Sequence, residues 1–300
     1  MAFKSLSPHM KGVILTFLGG LALSFDIPIV RLAEGGIWSI LTARSLSTVA
    51  GLVVLWLVLR LRNGRAPRFV PGLPGLAVCV LYALSTVFFL LSVFHTSTAN
   101  VAFILAFNPM FGALLSWIFL RERPQTVTFI AMAVMLLGIT LIVGSGLEGG
   151  HLLGDLSAAL SALGIAGALT ISRAKGGDFG YTPLVATIFS AAIGGVLIAD
   201  TGFEINHSGW IIFNGLIVTP FAFWALATGP RYLSAAETGM FYLLETVLAP
   251  IWVWIIFGDH TPLLTIVGGL IILAALIWHS LVSKDPDAAP MAVVPDHPAP

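Results

Sequence analysis

The sequence predicts an all-α polytopic membrane protein whose ten transmembrane helices form two inverted five-helix repeats. Three observations predict this fold: the composition, the lengths of the apolar segments, and the similarity of two distant parts of the chain. Of the 300 residues, 58% are apolar and 9% are charged, whereas about 25% are charged in soluble domains. Because a soluble core could not hide so much apolar surface, the composition excludes a cytosolic globular enzyme, a nucleic-acid binder and a disordered chain.

Ten apolar segments have about the 20 residues that a helix needs to cross a bilayer. The apolar run at residues 52–59 does not alternate with polar residues, which argues against a transmembrane β-barrel. The first segment is too long for a signal peptide and lacks a small-residue cleavage site, so we expect it to be retained. The predicted spans are approximately 12–31, 37–59, 74–95, 97–120, 126–145, 154–173, 182–200, 208–228, 233–257 and 262–282.

The basic residues predict the orientation, because Lys and Arg concentrate in cytoplasmic loops. With ten spans and a cytoplasmic N-terminus, twelve of the 14 basic residues lie in cytoplasmic segments. Arg31 then lies in an outer loop and Arg44 lies inside the second span. A miscounted helix would destroy this bias, so the bias supports ten spans with both termini in the cytoplasm. The twelve residues are Lys4, Lys11, Arg60, Arg62, Arg65, Arg68, Arg121, Arg123, Arg173, Lys175, Arg231 and Lys284.

Two parts of the chain match at a constant offset of 137 residues, which predicts an internal repeat. The halves are residues 1–146 and 151–284, and they have opposite topology because each contains five helices. Inverted repeats are common in secondary transporters, whose substrate site lies near the midplane between the halves. We expect the proline-rich residues 285–300 to form a disordered tail. The matching pairs are Ser97 with Ser234, Ala99 with Ala236, Asn100 with Glu237, Asn108 with Glu245, and Trp117 with Trp254.

Short motifs at the ends of the fourth and ninth spans, and one arginine, resemble EamA-type members of the drug/metabolite transporter superfamily. The closest resemblance is to YddG-type aromatic amino acid exporters, and it covers nearly the whole chain except the tail. The resemblance implies a central cavity lined by helices 1, 3, 4, 6, 8 and 9, and a cargo of amino acids or amphipathic drugs. This chain departs from the pattern at Asp259, where Glu is commoner, and at the additional Glu245. The motifs are Ala99-Asn100-Val101-Ala102, Leu120-Arg121-Glu122-Arg123, Ala236-Glu237-Thr238-Gly239, Phe257-Gly258-Asp259-His260 and Arg44 within Thr42-Ala43-Arg44-Ser45.

Ionisable groups at membrane depth are costly, so each one is a candidate functional residue. Glu245, near the middle of the ninth span, either contacts a substrate amino group or titrates during transport, or it is simply protonated or hydrogen-bonded to a neighbouring helix. Asp26 and Arg44 lie at similar depth and form either a structural ion pair or a gate on the outer side. Asn108, beside Pro109, contacts substrate or satisfies a kink. We expect Glu237 to be solvated at the cytoplasmic end of its span.

Aromatic side chains predict a cavity suited to planar or cationic solutes, although packing against lipid explains single phenylalanines equally well. The candidate substrate-binding residues are therefore Tyr82, Phe103, Asn108, Trp224, Phe241 and Glu245. Prolines within spans are tolerated where neighbouring helices satisfy the freed backbone groups, and they suit gating. Four prolines lie in the interior of predicted spans, away from their first residues: Pro28, Pro109, Pro220 and Pro250.

The expected function is secondary transport of amino acids, aromatic ones first, or of related metabolites or drugs, out across a bacterial inner membrane by alternating access. An antiporter of phosphorylated metabolites or nucleotide sugars is the alternative, but it needs several basic residues at depth and only Arg44 qualifies. An intramembrane enzyme is a weaker alternative because no catalytic motif is found. We expect a small-molecule partner and the lipid bilayer, and no nucleic acid, metal or cofactor. Proton coupling through Glu245 stays open.

Overall fold

The computed structural model of the chain describes residues 7–63, 69–96, 101, 104–143, 152–258 and 263–282. Regular structure within those ranges is helical, apart from an isolated antiparallel bridge between Gly35 and Ile205. The tail predicted at residues 285–300 lies outside the described residues. The α-helices are α1 (Pro8–Leu23), α2 (Asp26–Ala33), α3 (Ile37–Asn63), α4 (Gly72–His95), α5 (Asn108–Leu115), α6 (Thr126–Val143), α7 (Leu152–Lys175), α8 (Thr182–Thr201), α9 (Ser208–Phe213), α10 (Thr219–Thr228), α11 (Ala235–Phe257) and α12 (Leu263–Val282).

Seven helical segments of the described chain are long and apolar enough to cross a membrane. Many of their large side chains, such as Val54 and Val196, are exposed, as expected of residues that face lipid. These features support a multi-pass membrane protein, while the count of ten spans stays a prediction. The seven segments are Pro8–Ala33, Trp38–Val58, Gly72–Phe89, Leu152–Lys175, Thr182–Thr201, Ser208–Arg231 and Ala235–Phe257, and three shorter apolar helices are Asn108–Leu120, Thr126–Leu141 and Ile266–His279.

Three of the four prolines inside predicted spans follow a local change of helix geometry. A proline has no backbone N–H, and its ring clashes with the carbonyl group four residues earlier. Pro28 follows the break between α1 and α2, and Pro109 follows a turn directly before α5. Pro220 follows a π-helical turn between α9 and α10, whereas α11 is continuous through Pro250. The three irregular segments therefore lie in the turn before each proline, where the helix lacks the hydrogen bond that the proline cannot donate.

The packing of the helices follows the pattern that two inverted halves would produce. Helix α4 packs on α7 as α1 packs on α10, and α5 packs on α7 as α1 packs on α11. Helix α3 also packs on α8, α5 on α11, and α6 on α12. If spans 1–5 of the first predicted half are exchanged with spans 6–10 of the second, each of these contacts becomes another contact in the same set or stays the same contact. The pattern agrees with the predicted halves, 1–146 and 151–284, without making them more than a proposal.

Two connecting segments meet on the side that the predicted orientation places outside, and we call this contact the outer clamp. It joins residues 34–36 to residues 204–207. The backbone N–H of Asn206 donates to the carbonyl oxygen of Glu34 at 2.8 Å, and the Asn206 amide donates to the Glu34 carboxylate at 3.4 Å. The bridge between Gly35 and Ile205 lies in the same clamp. The connection before α3 is thus fastened to the connection after α8.

A second contact lies on the opposite side, and we call it the inner clamp. The Thr182 hydroxyl donates to the Phe69 carbonyl oxygen at 3.2 Å, and the Tyr181 ring lies edge-on to the Phe69 ring at 5.5 Å. Arg231 Nη1 donates to Asp178 Oδ2 at 3.1 Å. Burial and the nearby Asp178 carboxylate raise the pKa of Tyr181. The exchange of halves described above also maps the outer clamp onto the inner clamp.

Close packing between α1 and α11 depends on Gly20. A Cβ atom added at this position would overlap the carbonyl oxygen of Phe241, which belongs to the backbone of α11 and cannot turn away. Gly195, in α8, has no heavy atom within 4 Å of the same position. The two glycines therefore offer a matched test of this helix contact.

We expect Gly20→Ala to lower the free energy of unfolding by about 1–3 kcal/mol, because overpacking forces the two helices apart. Thermal unfolding of the purified protein in detergent would measure the effect. Gly195→Ala is the control and should unfold at the wild-type temperature or above it. Equal unfolding temperatures for the two variants would contradict the close contact.

Candidate functional site

The centre of the candidate site is the break in the first span, where residues 24–25 separate α1 from α2. The Ser24 hydroxyl donates to the Leu21 carbonyl oxygen at 2.6 Å and accepts from Trp252 Nε1 at 2.9 Å. The Phe25 ring stacks on the Trp252 ring, with centroids 4.5 Å apart. A side chain from α11 therefore holds the break by both a hydrogen bond and ring contact.

Asp26, the first residue after the break, is bound by side chains from two other parts of the chain. Arg44 Nη1, from α3, donates to Asp26 Oδ2 at 2.7 Å. Asn214 Nδ2, from the π-helical turn after α9, donates to Asp26 Oδ1 at 2.8 Å. The Thr219 hydroxyl donates in turn to Asn214 Oδ1 at 2.6 Å. Both carboxylate oxygens thus have a donor, as a charge at membrane depth requires.

Glu245 lies on α11 and is partly buried. It interacts electrostatically with both Asp26 and Arg44, which places the three charged groups in one region. No hydrogen bond joins the Glu245 carboxylate to another residue that the structure describes. In this respect Glu245 differs from Asp26, whose two carboxylate oxygens both accept hydrogen bonds.

Two tyrosines extend the polar region towards α4. The hydroxyl groups of Tyr82 and Tyr242 lie 3.3 Å apart, and Tyr242 precedes Glu245 by three residues on α11. Residues three apart share a helix face, so Tyr242 and Glu245 point to the same side. Tyr82 is buried, with 6% of its surface exposed. Helices α4 and α11 thus bring phenolic groups beside the charged groups.

The other predicted substrate-binding residues lie in different surroundings. Asn108 is buried next to Gly239 of α11, and its Oδ1 atom has no hydrogen-bond partner among the described residues. Phe241 is 3% exposed within the hydrophobic core. The indole of Trp224 lies close to Gly180, near the inner clamp. Phe103 lies outside the described residues, so its predicted role is untested.

Glu237 corrects one expectation, because it is 5% exposed rather than solvated. It caps α11 together with Ser234: each of the two residues accepts, through its side chain, the backbone N–H of the other. Its carboxylate also lies 3.3 Å from His9 Nε2 of α1. The sequence could not reveal this partner, which lies 228 positions away. Glu237 therefore joins helix ends rather than facing water.

Two cavities lie apart from this polar region. One of about 100 Å³ is formed by α3, α4 and α8, and the other, about 600 Å³, by residues 206–210 and Phe213. Neither is lined by a predicted substrate-binding residue. No cluster of metal-ligating side chains occurs in the part of the chain that the structure describes. The residues lining the smaller cavity are Trp38, Leu41, Thr86, Val87, Leu91, Ser190, Ile193 and Leu197.

Comparison with known proteins gives a family match over the first half of the chain. Residues 10–144 match the model of the EamA-like transporter family. An uncharacterized transporter of Archaeoglobus fulgidus is 22% identical over 207 residues, which are 67% of this chain and 74% of that protein. The uncharacterized transporter YdfC of Bacillus subtilis is 27% identical over 185 residues, which are 59% of this chain and 60% of that protein.

A protein of known crystal structure shares the fold, with a TM-score of 0.76 and 16% identity, over 91% of this chain and 99% of that one. The EamA-like match and the two relatives support placement in the drug/metabolite transporter superfamily and a role as a membrane transporter. They point to a role other than enzymatic catalysis.

The ion pair between Asp26 and Arg44 should show strong energetic coupling. We expect Asp26→Asn and Arg44→Gln each to lower the free energy of unfolding by about 2 kcal/mol or more, because each leaves a charge uncompensated at depth. The double variant should lose less than the sum of the two single losses. Thermal unfolding of the four proteins in detergent would measure this. Additive losses would contradict a direct pair.

Proposed function

We propose that the protein is a secondary transporter that exports amino acids, aromatic ones first, by alternating access between two inverted five-helix halves. The observation that carries this proposal is the Glu245 carboxylate, which lies at membrane depth without a hydrogen-bond partner among the described residues, beside the pair formed by Asp26 and Arg44. A carboxylate in that position suits an ammonium group. The proposed location is a bacterial inner membrane, with both termini in the cytoplasm.

The balance of charge favours amino acids over the phosphorylated substrates of the alternative. Asp26 and Glu245 carry two negative charges when ionised, and Arg44 carries one positive charge. A region with this balance repels phosphate groups and attracts ammonium groups. The tyrosines at 82 and 242 add ring surfaces that suit aromatic side chains. We therefore assign substrate contact to Glu245 and Tyr82 before the more distant Trp224.

The same carboxylate could exchange a proton for the substrate. Glu245 can bind a proton or an ammonium group, but a single carboxylate does not hold both with full strength. Substrate release on one side would then be linked to proton uptake there. We propose this competition as the coupling between substrate and proton.

Glu245→Gln tests the proposal in proteoliposomes. We expect counterflow of phenylalanine to fall about tenfold or more, because the amide loses a charge-assisted hydrogen bond. A pH gradient should change phenylalanine accumulation by the wild type and not by the variant. Asp200→Asn, which changes an exposed acid near the end of α8 outside both clamps, is the control and should transport normally.

Two outcomes would contradict the assignment. No flux of phenylalanine, threonine or a cationic drug above that of empty vesicles would overturn the substrate class. Normal counterflow by the Glu245→Gln variant would remove Glu245 from the site.

The two clamps are the proposed gates, because alternating access requires one side to open while the other stays closed. A cross-link across the outer clamp should therefore stop transport. We expect Glu34→Cys with Asn206→Cys, made in a Cys79→Ser background, to lose counterflow on oxidation and regain it on reduction. Each single cysteine variant serves as a control and should not respond. Full activity of the oxidised double variant, with the disulfide verified by mass spectrometry, would show that the outer clamp does not open.

A further inference from the structure

We propose that the site selects zwitterions, with Arg44 binding the carboxylate of an amino acid while Glu245 binds its ammonium group. This inference rests on the proposed transport function and adds a second recognition point to it. It changes the role of Arg44 from a structural or gating partner of Asp26 to a residue that contacts substrate.

Most of the N–H donors of the Arg44 guanidinium make no hydrogen bond to the residues that the structure describes. A guanidinium group carries five N–H donors in a planar fork that matches a carboxylate. In the described part of the chain, the Arg44 side chain makes a single hydrogen bond, from Nη1 to Asp26 Oδ2. Its side chain is 21% exposed, so the protein does not enclose it completely. A second carboxylate can thus bind Arg44 without displacing Asp26.

A chain of hydrogen bonds fixes the direction of the Arg44 guanidinium. The Thr219 hydroxyl donates to Asn214 Oδ1, so the Asn214 amide must present its Nδ2 atom to Asp26. Asp26 Oδ1 is thereby occupied, and Oδ2 is left for Arg44. Thr219 and Asn214 are therefore positioning residues, which act on substrate through Asp26 and Arg44. Asn214 is the first residue of the π-helical turn that precedes α10, and Thr219 is the first residue of α10.

The two recognition points, Glu245 and Arg44, give three kinds of ligand different affinities. Glu245 attracts any ammonium group and repels a carboxylate that arrives alone. Arg44 favours ligands that also carry a carboxylate. Gly20 packs against the segment of α11 that carries Glu245, and Ser24 bonds Trp252 of the same helix. Glu245 therefore lies beside the break that precedes Asp26 and its partner Arg44, which places the two recognition points in the same region. A zwitterion satisfies both points, an amine satisfies one, and a lone carboxylic acid meets a net negative site.

The ligand series phenylalanine, 2-phenylethylamine and 3-phenylpropionate tests this assignment on the full chain. Inhibition of phenylalanine counterflow and thermal stabilisation in detergent should both follow that order, with phenylalanine strongest. Thr219→Val removes the hydroxyl group with little change of shape. We expect it to weaken phenylalanine binding about tenfold, because Arg44 loses its fixed direction and with it most of one charge-assisted hydrogen bond to the substrate carboxylate. Binding of 2-phenylethylamine, which has no carboxylate, should stay unchanged. Thr201→Val is the control, because Thr201 bonds only to a carbonyl of its own helix.

The outcomes separate this inference from the transport function. Transport of phenylalanine with equal affinity for the amine, or equal weakening of both ligands by Thr219→Val, would overturn the zwitterion site and leave the transporter intact. Stabilisation by phenylalanine in the expected order, without any flux, would support the site and overturn the transport of amino acids. Neither flux nor stabilisation by any amino acid would overturn both. Comparison of the wild-type ligand series alone decides the matter if the variant does not fold.

Discussion

The neutralisation of Asp26 is the interaction on which the centre of this protein depends. A carboxylate at membrane depth is tolerated only when partners replace the water it has lost. Asp26 obtains them from α3, through Arg44, and from the π-helical turn after α9, through Asn214. Two neighbouring helices of the first half and a segment 188 residues after Asp26 must therefore meet at one depth. Because Asp26 directly follows the break in the first span, its bonds to Arg44 and Asn214 also hold this break against α3 and the π-helical turn.

The break itself follows from backbone chemistry. Pro28 cannot supply the N–H that would continue α1, so the chain changes direction at residues 24–25. Trp252 covers this point by bonding Ser24 and stacking on Phe25. Irregular backbone at membrane depth requires such protein contacts because lipid offers no hydrogen bonds. The first span can thus be broken without exposing its unsatisfied groups to lipid.

Local signals in the sequence predicted more of this structure than long-range ones did. Apolar runs act over a few residues, and the described helices lie close to the predicted spans. Asn214 and Thr219 escaped prediction because a single amide and a hydroxyl in an apolar span have no distinctive pattern. Glu237 was expected in water because its partner His9 is remote in sequence. One signal was available: Asn214 and Thr219 are two polar residues five positions apart in an apolar span, and they directly precede Pro220, where a helix is expected to be irregular.

The proposed inverted halves would account for the resemblance between the two clamps. The differences between those halves would account for two sides that do not act alike. Perfect symmetry would make the inward-open and outward-open states equal in energy. The position equivalent to Glu245 in the first half is Asn108, which carries no charge. Asp26 and Arg44 likewise bind to each other on the side of the outer clamp. The carboxylate of Glu245 therefore belongs to the second half, whereas the ion pair belongs to the first half and lies towards one side. A proton or an ammonium group at Glu245 changes the electrostatic energy of that arrangement, which is how a single carboxylate can give direction to a symmetric fold.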